Sequence, residues 1–103
     1  MYRMKGVIPP MITPFLENGD LDLEGLRTLV RFLRGKVGGL FITGSYGSGV
    51  MMTAEERKRV AEVTLEEAGD TPVIVHVGTA DSRSAADLAA HARALGVAAV
   101  SAV

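Results

Sequence analysis

The stretch that decides the predicted fold is residues 72–103, PVIVHVGTADSRSAADLAAHARALGVAAVSAV. Pro72–Val77 is short, rich in β-branched residues and bounded by proline and glycine, which favours a buried strand. Asp81 or Ser82 then caps a helix that a glycine ends, and Val97–Val103 begins another strand. A strand, a helix and a strand in this order predict a parallel pair joined by a right-handed crossover.

Two further strands are predicted upstream. Gly6–Ile12 (GVIPPMI) reads as a short buried strand, although Pro9 and Pro10 each remove a ladder donor and so place it at an edge or in an irregular stretch. Gly39–Thr43 (GLFIT) reads as the next strand. With helices between them, the predicted order is β-α-β-α-β-α-β, which is typical of a parallel sheet.

The two upstream helices have recognisable starts. Asp22 can cap the first, whose apolar residues recur at helical spacing at Leu23, Leu26, Leu29, Val30 and Leu33. Thr53 and Glu56 have the spacing of a capping box, which predicts a helix from there to about Ala68. The Glu- and Arg-rich face of that second helix, including Arg57, is predicted to be solvated and to carry spaced ion pairs.

Composition excludes several classes of protein. The 103 residues carry 11 Lys+Arg against 12 Asp+Glu, so a nucleic-acid partner is not expected. The absence of cysteine excludes a disulfide scaffold, a thiolate metal site and a cysteine nucleophile. No signal peptide is visible, and the longest uncharged stretch, Val37–Ala54, is too rich in glycine and hydroxyl side chains for a membrane span. We therefore expect one soluble, cytoplasmic α/β domain that has no membrane contact.

The loop Gly44–Gly49 (GSYGSG) is the most informative candidate site. It follows a predicted strand and precedes a helix, where parallel α/β proteins gather their functional residues. Its glycines allow close approach of a ligand to the backbone, and Ser45, Tyr46 and Ser48 add hydroxyl groups, which together suit a carboxylate or phosphate. The loop fits no Walker A, dinucleotide or esterase pattern. The alternative is that the glycines only make a tight turn.

Histidine and lysine residues limit the chemistry that the chain can perform. His76 and His91 offer no metal-ligand spacing, and neither a metal nor a cofactor is predicted. His76 is expected to pack in the core, with a place facing a barrel interior as the alternative. Lys5, Lys36 and Lys58 all lie away from the carboxyl ends of strands, where a desolvated amine could serve in covalent catalysis.

Three passages together resemble one family. Gly6–Phe15 ends in Thr-Pro-Phe, Gly44–Arg57 joins a G-S-Y-G-S loop to M-T-A-E-E-R, and Pro72–Val100 continues into the next unit. In this order they are similar to the dihydrodipicolinate synthase / N-acetylneuraminate lyase superfamily of class I pyruvate-dependent aldolases. The likeness covers nearly the whole chain.

The resemblance implies a (β/α)8 TIM barrel, which needs roughly 250 residues. Residues 1–103 would be a single N-terminal part of that domain, supplying about the first three and a half βα units. It also implies a homotetrameric lyase in which a lysine forms a Schiff base with pyruvate or another 2-oxo acid, with an aldehyde as the other partner. Since that lysine would lie outside these residues, we expect the chain alone to be inactive.

The resemblance also assigns the loop a role. Gly44, Ser45, Tyr46 and Gly47 would bind the substrate carboxylate, and Ser45 would act as a catalytic residue in a proton relay. Tyr46 replaces the family's usual threonine and Ser48 its glutamate, so the pocket should differ in shape from the standard synthase. The alternative function is a non-catalytic α/β binding module or a degenerate, regulatory homologue.

Overall fold

A computed structural model describes residues 6–102, and these form three parallel strands and three α-helices. The elements are α1 (Leu23–Leu33), β1 (Leu40–Ile42), a 3-10 turn (Gly49–Met51), α2 (Ala54–Ala68), β2 (Val73–His76), α3 (Ser82–Leu95) and β3 (Ala99–Ser101). The strands lie in the order β1-β2-β3, with Ile42 opposite Val75 and Val75 opposite Val100. From α1 onward the predicted alternation of helices and strands is confirmed.

The prediction of a strand at Gly6–Ile12 is wrong. Gly6–Ile12 lies extended beside β1 and pairs with it through a single bridge. The Phe41 N–H donates to the Pro9 carbonyl at 3.1 Å, and the Met11 N–H donates to the Phe41 carbonyl at 2.8 Å. The next bond of a parallel ladder would run from residue 9 to the Gly39 carbonyl, but Pro9 has no N–H to give. The ladder therefore stops after one bridge.

Each helix begins at its predicted cap. The Asp22 carboxylate accepts a backbone N–H of the first turn of α1 at 2.9 Å. Thr53 and Glu56 form the reciprocal capping box of α2, with bonds of 3.1 and 2.9 Å. Of the two candidates for α3, Asp81 rather than Ser82 is the cap. These side chains satisfy donors that a helix start leaves unpaired.

The core lies between the sheet and the helices. Its largest buried members are Leu40 and Ile42 of β1, Val73 and Val75 of β2, and Leu26, Val30, Val60, Val63 and Leu88 of the helices. Since side chains alternate along a strand, Phe41, Ile74 and His76 point to the opposite face of the sheet. The candidate site lies at the carboxyl ends of the strands, where the loop after β1 begins.

Ion pairs join α1 to α2 on the outer surface. The Arg27 guanidinium lies 2.9 Å from carboxylate oxygens of both Glu66 and Glu67, and the Arg31 Nε lies 2.9 Å from Glu67. The hydrogen bonds from Arg31 and Arg27 lower the pKa of Glu67 to about 2. Within α2, the predicted spaced ion pairs are confirmed at Glu55–Lys58 and Arg59–Glu62.

Candidate carboxylate-binding site

The loop Gly44–Gly49 leaves the carboxyl end of β1 and turns back on itself. The Gly49 N–H donates to the Gly44 carbonyl at 3.0 Å and closes the turn. A Cβ built on Gly49 would lie 1.9 Å from the Thr43 carbonyl oxygen, and one on Gly47 would lie 2.9 Å from that of Met11. Only glycine fits at these two positions, because the backbone of neighbouring segments occupies the space of a side chain.

Several donors of the loop are not engaged within residues 6–102, at the exposed Ser45 and Tyr46 and at the buried Gly47. Ser45 and Tyr46 are exposed, and Tyr46 keeps 74% of its surface open. No acceptor within residues 6–102 receives a hydrogen bond from the N–H groups of Ser45, Tyr46 and Gly47, or from the Ser45 hydroxyl. Successive free N–H groups in a turn are the arrangement that binds anions. The residues singled out from the sequence therefore lie together in one turn.

Two threonines that sequence reasoning did not assign to the site hold the ends of this loop. The Thr13 hydroxyl donates to the Gly47 carbonyl at 2.6 Å. The Thr43 hydroxyl lies 2.9 Å from the His76 carbonyl and 2.7 Å from that of Ile42. Each threonine follows an extended segment at its carboxyl end, and that position was the available sequence signal.

The prediction that Arg57 is solvated is wrong. Its exposed fraction is 3%, and its guanidinium donates to the carbonyls of Gly78 at 2.9 Å and His76 at 2.7 Å. Burial lowers its pKa, and no carboxylate within residues 6–102 pairs with it. The sequence did contain a signal, since Arg57 continues the helical spacing of the buried residues Val60, Ala61, Thr64 and Ala68. The side chain caps the carboxyl end of β2.

His76 is buried, but it lies on the sheet face opposite the core, which fits the alternative of a place facing a barrel interior rather than the predicted place in the core. It is 8% exposed, its ring centroid lies 6.3 Å from that of Phe41, and its Nδ1 lies 3.4 Å from Arg57 Nη2. Burial, helped by the charge of Arg57, lowers the pKa of His76 and so favours the neutral imidazole. His91 is half-buried and lies 3.0 Å from a Glu62 carboxylate oxygen, between α3 and α2.

Metal ligands and a nucleophilic lysine are not gathered at this site. No group of three His, Asp or Glu side chains converges anywhere in residues 6–102. The Lys36 ammonium lies 4.0 Å above the Phe32 ring, and Lys58 pairs with Asp87 at 2.7 Å. Lys5 lies outside the described residues. The sequence predicted that Lys36 and Lys58 lie away from the carboxyl ends of strands, and both do.

Comparison with known proteins then decides the family. A model described as the dihydrodipicolinate synthetase family matches residues 3–103. The chain belongs to this family. N-acetylneuraminate lyase of Citrobacter koseri is 41% identical to it over 102 residues, which are 97% of this chain and 34% of that protein. This member of the dihydrodipicolinate synthetase family thus spans about a third of the length of the curated relatives it matches.

Solved structures of related lyases have the same arrangement of elements. A sialic acid aldolase of Ruminococcus gnavus superposes with a TM-score of 0.91 at 35% identity, over 96% of this chain and 34% of that one. A Clostridium difficile protein solved in complex with mannosamine superposes with a TM-score of 0.92 at 32% identity, over 97% of this chain and 36% of that one. The predicted TIM-barrel fold class is confirmed, and residues 6–102 form part of such a barrel.

Proposed function

We propose that residues 1–103 are the N-terminal part of a (β/α)8 lyase that acts on 2-oxo acids, and that the loop Gly44–Gly47 binds the substrate carboxylate. The observation that carries this proposal is the turn itself, in which the N–H groups of Ser45, Tyr46 and Gly47 and the Ser45 hydroxyl have no acceptor among residues 6–102. The turn lies at the carboxyl edge of the sheet, where barrel enzymes carry out their chemistry.

The proposed chemistry divides the work between this chain and the rest of the barrel. A lysine outside these residues adds to the 2-oxo carbon and, with loss of water, forms a Schiff base that draws electrons from the bond to be cleaved. The loop of this chain holds the carboxylate through N–H donors and so fixes the reacting carbon next to that lysine. The Ser45 hydroxyl can both accept and donate, which lets it relay the proton that leaves the substrate hydroxyl as that oxygen becomes the aldehyde carbonyl.

The names of the related proteins support a sugar acid as the substrate. N-acetylneuraminate is the first compound to test, because the curated relatives carry its name and one solved neighbour binds mannosamine. Cleavage would yield pyruvate and an amino-sugar aldehyde. Tyr46 is bulky and 74% exposed at the mouth of the loop, so we expect it to restrict the aldehyde that fits.

The test uses a completed barrel, by which we mean this chain joined to the remaining two-thirds of the Citrobacter koseri lyase. Borohydride is added with pyruvate, and the modified peptide is identified by mass spectrometry. We expect one reduced adduct on a lysine outside this chain, and none on Lys5, Lys36 or Lys58. A folded completed barrel that forms no adduct and cleaves no 2-oxo acid would contradict the proposal and favour a non-catalytic or regulatory homologue.

Two parts of the proposal concern the whole protein. No helix within residues 6–102 is long and apolar enough to cross a membrane. We propose a cytoplasmic location and assembly as a homotetramer, which cell fractionation and analytical ultracentrifugation of the completed barrel would test.

A further inference from the structure

We infer that Thr13 and Thr43 are positioning residues that hold the two ends of the carboxylate loop, so that its N–H groups stay available to the ligand. This inference rests on the proposed function of the Gly44–Gly47 loop. Neither threonine is expected to touch the substrate, and both would act through the backbone of the turn.

Thr13 fixes the far end of the turn. Its hydroxyl donates to the Gly47 carbonyl at 2.6 Å, across 34 positions of sequence. Gly47 also packs against the backbone of the same extended segment, since a Cβ there would meet the Met11 carbonyl at 2.9 Å. Because the bond uses a carbonyl and no N–H, it orients the peptide that joins Gly47 to Ser48 at the end of the turn without using a donor that the ligand needs.

Thr43 fixes the near end. It is completely buried and has a φ of 57°, in the left-handed region that β-branched residues rarely adopt. Such a conformation persists only where surrounding contacts impose it. One of those contacts is the hydroxyl's approach to the His76 carbonyl at 2.9 Å. The residue that precedes the turn is thereby tied to the carboxyl end of the neighbouring strand.

Arg57 holds the same acceptor from the other side. Its Nη2 donates to the His76 carbonyl at 2.7 Å, while its Nη1 donates to Gly78 at 2.9 Å. The His76 carbonyl therefore accepts hydrogen bonds from Arg57 of α2 and from Thr43 at the start of the loop. A site works best when neighbouring groups hold the groups that bind the ligand in advance.

The experiment measures steady-state kinetics of the completed barrel with Thr13→Val, Thr43→Val and the rescuing changes Thr13→Ser and Thr43→Ser. Valine keeps the shape of threonine and removes the hydroxyl. We expect each valine variant to raise the KM for pyruvate in the condensation direction by about three- to tenfold, the effect of one lost hydrogen bond. The KM for the aldehyde should stay at its original value, and serine should restore the pyruvate KM.

Thr28→Val is the matched control, because within residues 6–102 the exposed Thr28 hydroxyl bonds only to the Glu24 carbonyl of its own helix. It should change neither KM. Valine variants that melt earlier but keep the original pyruvate KM would overturn the inference and leave the threonines a structural role. If Ser45→Ala raises the pyruvate KM while both valine variants do not, the inference fails and the proposed function stands. If Thr43→Val does not fold, Thr13→Val decides.

Discussion

Ser45 supplies the first hydroxyl of the loop, and this hydroxyl has no hydrogen-bond partner within residues 6–102. A hydrogen bond to a charged group contributes about 1.5–3 kcal/mol, so Ser45→Ala should lower kcat/KM for 2-oxo acids in the completed barrel about ten- to a hundredfold. Tyr46→Thr is the companion change. It alters volume more than hydrogen bonding, and it should shift the range of aldehydes accepted. If Ser45→Ala leaves the kinetics unchanged with every 2-oxo acid tested, the loop does not bind the carboxylate and is only a tight turn.

Gly49 is fixed by close packing rather than by its dihedral angles. A methyl group there would lie 1.9 Å from the Thr43 carbonyl oxygen, so Gly49→Ala should lower the free energy of unfolding by about 1–3 kcal/mol and displace the loop. Gly19→Ala is the control, since it has a φ of 93° but nothing within 4 Å of its Cβ. Urea denaturation that ranks Gly19→Ala as the more damaging change would contradict this account.

Among single residues, the sequence indicated the candidate loop but not the residues that hold it in place. Gly44–Gly47 could be found because glycines and hydroxyls interrupt an otherwise apolar strand-to-helix connection. The φ of Thr43 and the burial of Arg57 could not be read directly, because both depend on carbonyls contributed by β2. Contacts between segments far apart in sequence leave little trace in local composition.

Among the elements, α1 and α2 are joined by the carboxylate of Glu67. Protonation of this group at low pH should lower the free energy of unfolding. The pKa of Glu67 falls from its ordinary 4.5 to about 2 because Arg31 and Arg27 bond to it. A lowered folded-state pKa means that the stabilisation is present above about pH 4.5 and is lost as the pH falls toward 2. Urea denaturation of the completed barrel should therefore show Glu67→Gln as less stable near neutral pH, with the difference closing toward pH 2.

Glu17→Gln is the control for that experiment, since Glu17 has no ion pair within residues 6–102. It should leave the pH profile where it was. A destabilisation by Glu67→Gln that stays constant from neutral pH to about pH 2 would contradict the assigned pKa.

Helices were easier to predict than strands for a local reason. Caps such as Asp22 and the Thr53–Glu56 box are formed by residues a few positions apart, so their pattern is visible in the sequence. A strand needs a partner strand elsewhere in the sequence, and the hydrogen bonds between the two need a backbone N–H at each pairing position. Gly6–Ile12 lies extended beside β1, but Pro9 lacks the N–H that would have extended the pairing, and Val7 and Ile12 are exposed rather than buried as predicted.

At the scale of the whole molecule, the described residues leave apolar surface open. Val7 is 70% exposed and Ile12 61%, and a groove of about 760 Å³ between α3 and β3 is lined by Ala89, Val97 and Val100 among others. Each buried Val or Ile side chain contributes about 1.5–3 kcal/mol, a large part of a small domain's stability. We therefore expect the isolated chain to be oligomeric or loosely packed. A cooperative thermal transition of a monomer, independent of concentration, would contradict this.

The central claim is that a 2-oxo acid places its carboxylate on the Gly44–Gly47 turn. The most direct measurement is a crystal structure of the completed barrel after reduction of the pyruvate adduct with borohydride. We expect the pyruvate-derived carboxylate within hydrogen-bond distance of the Ser45 hydroxyl and of the N–H groups of Tyr46 and Gly47, with Thr13 still bonded to the Gly47 carbonyl. A carboxylate bound elsewhere, with the turn unoccupied, would contradict it.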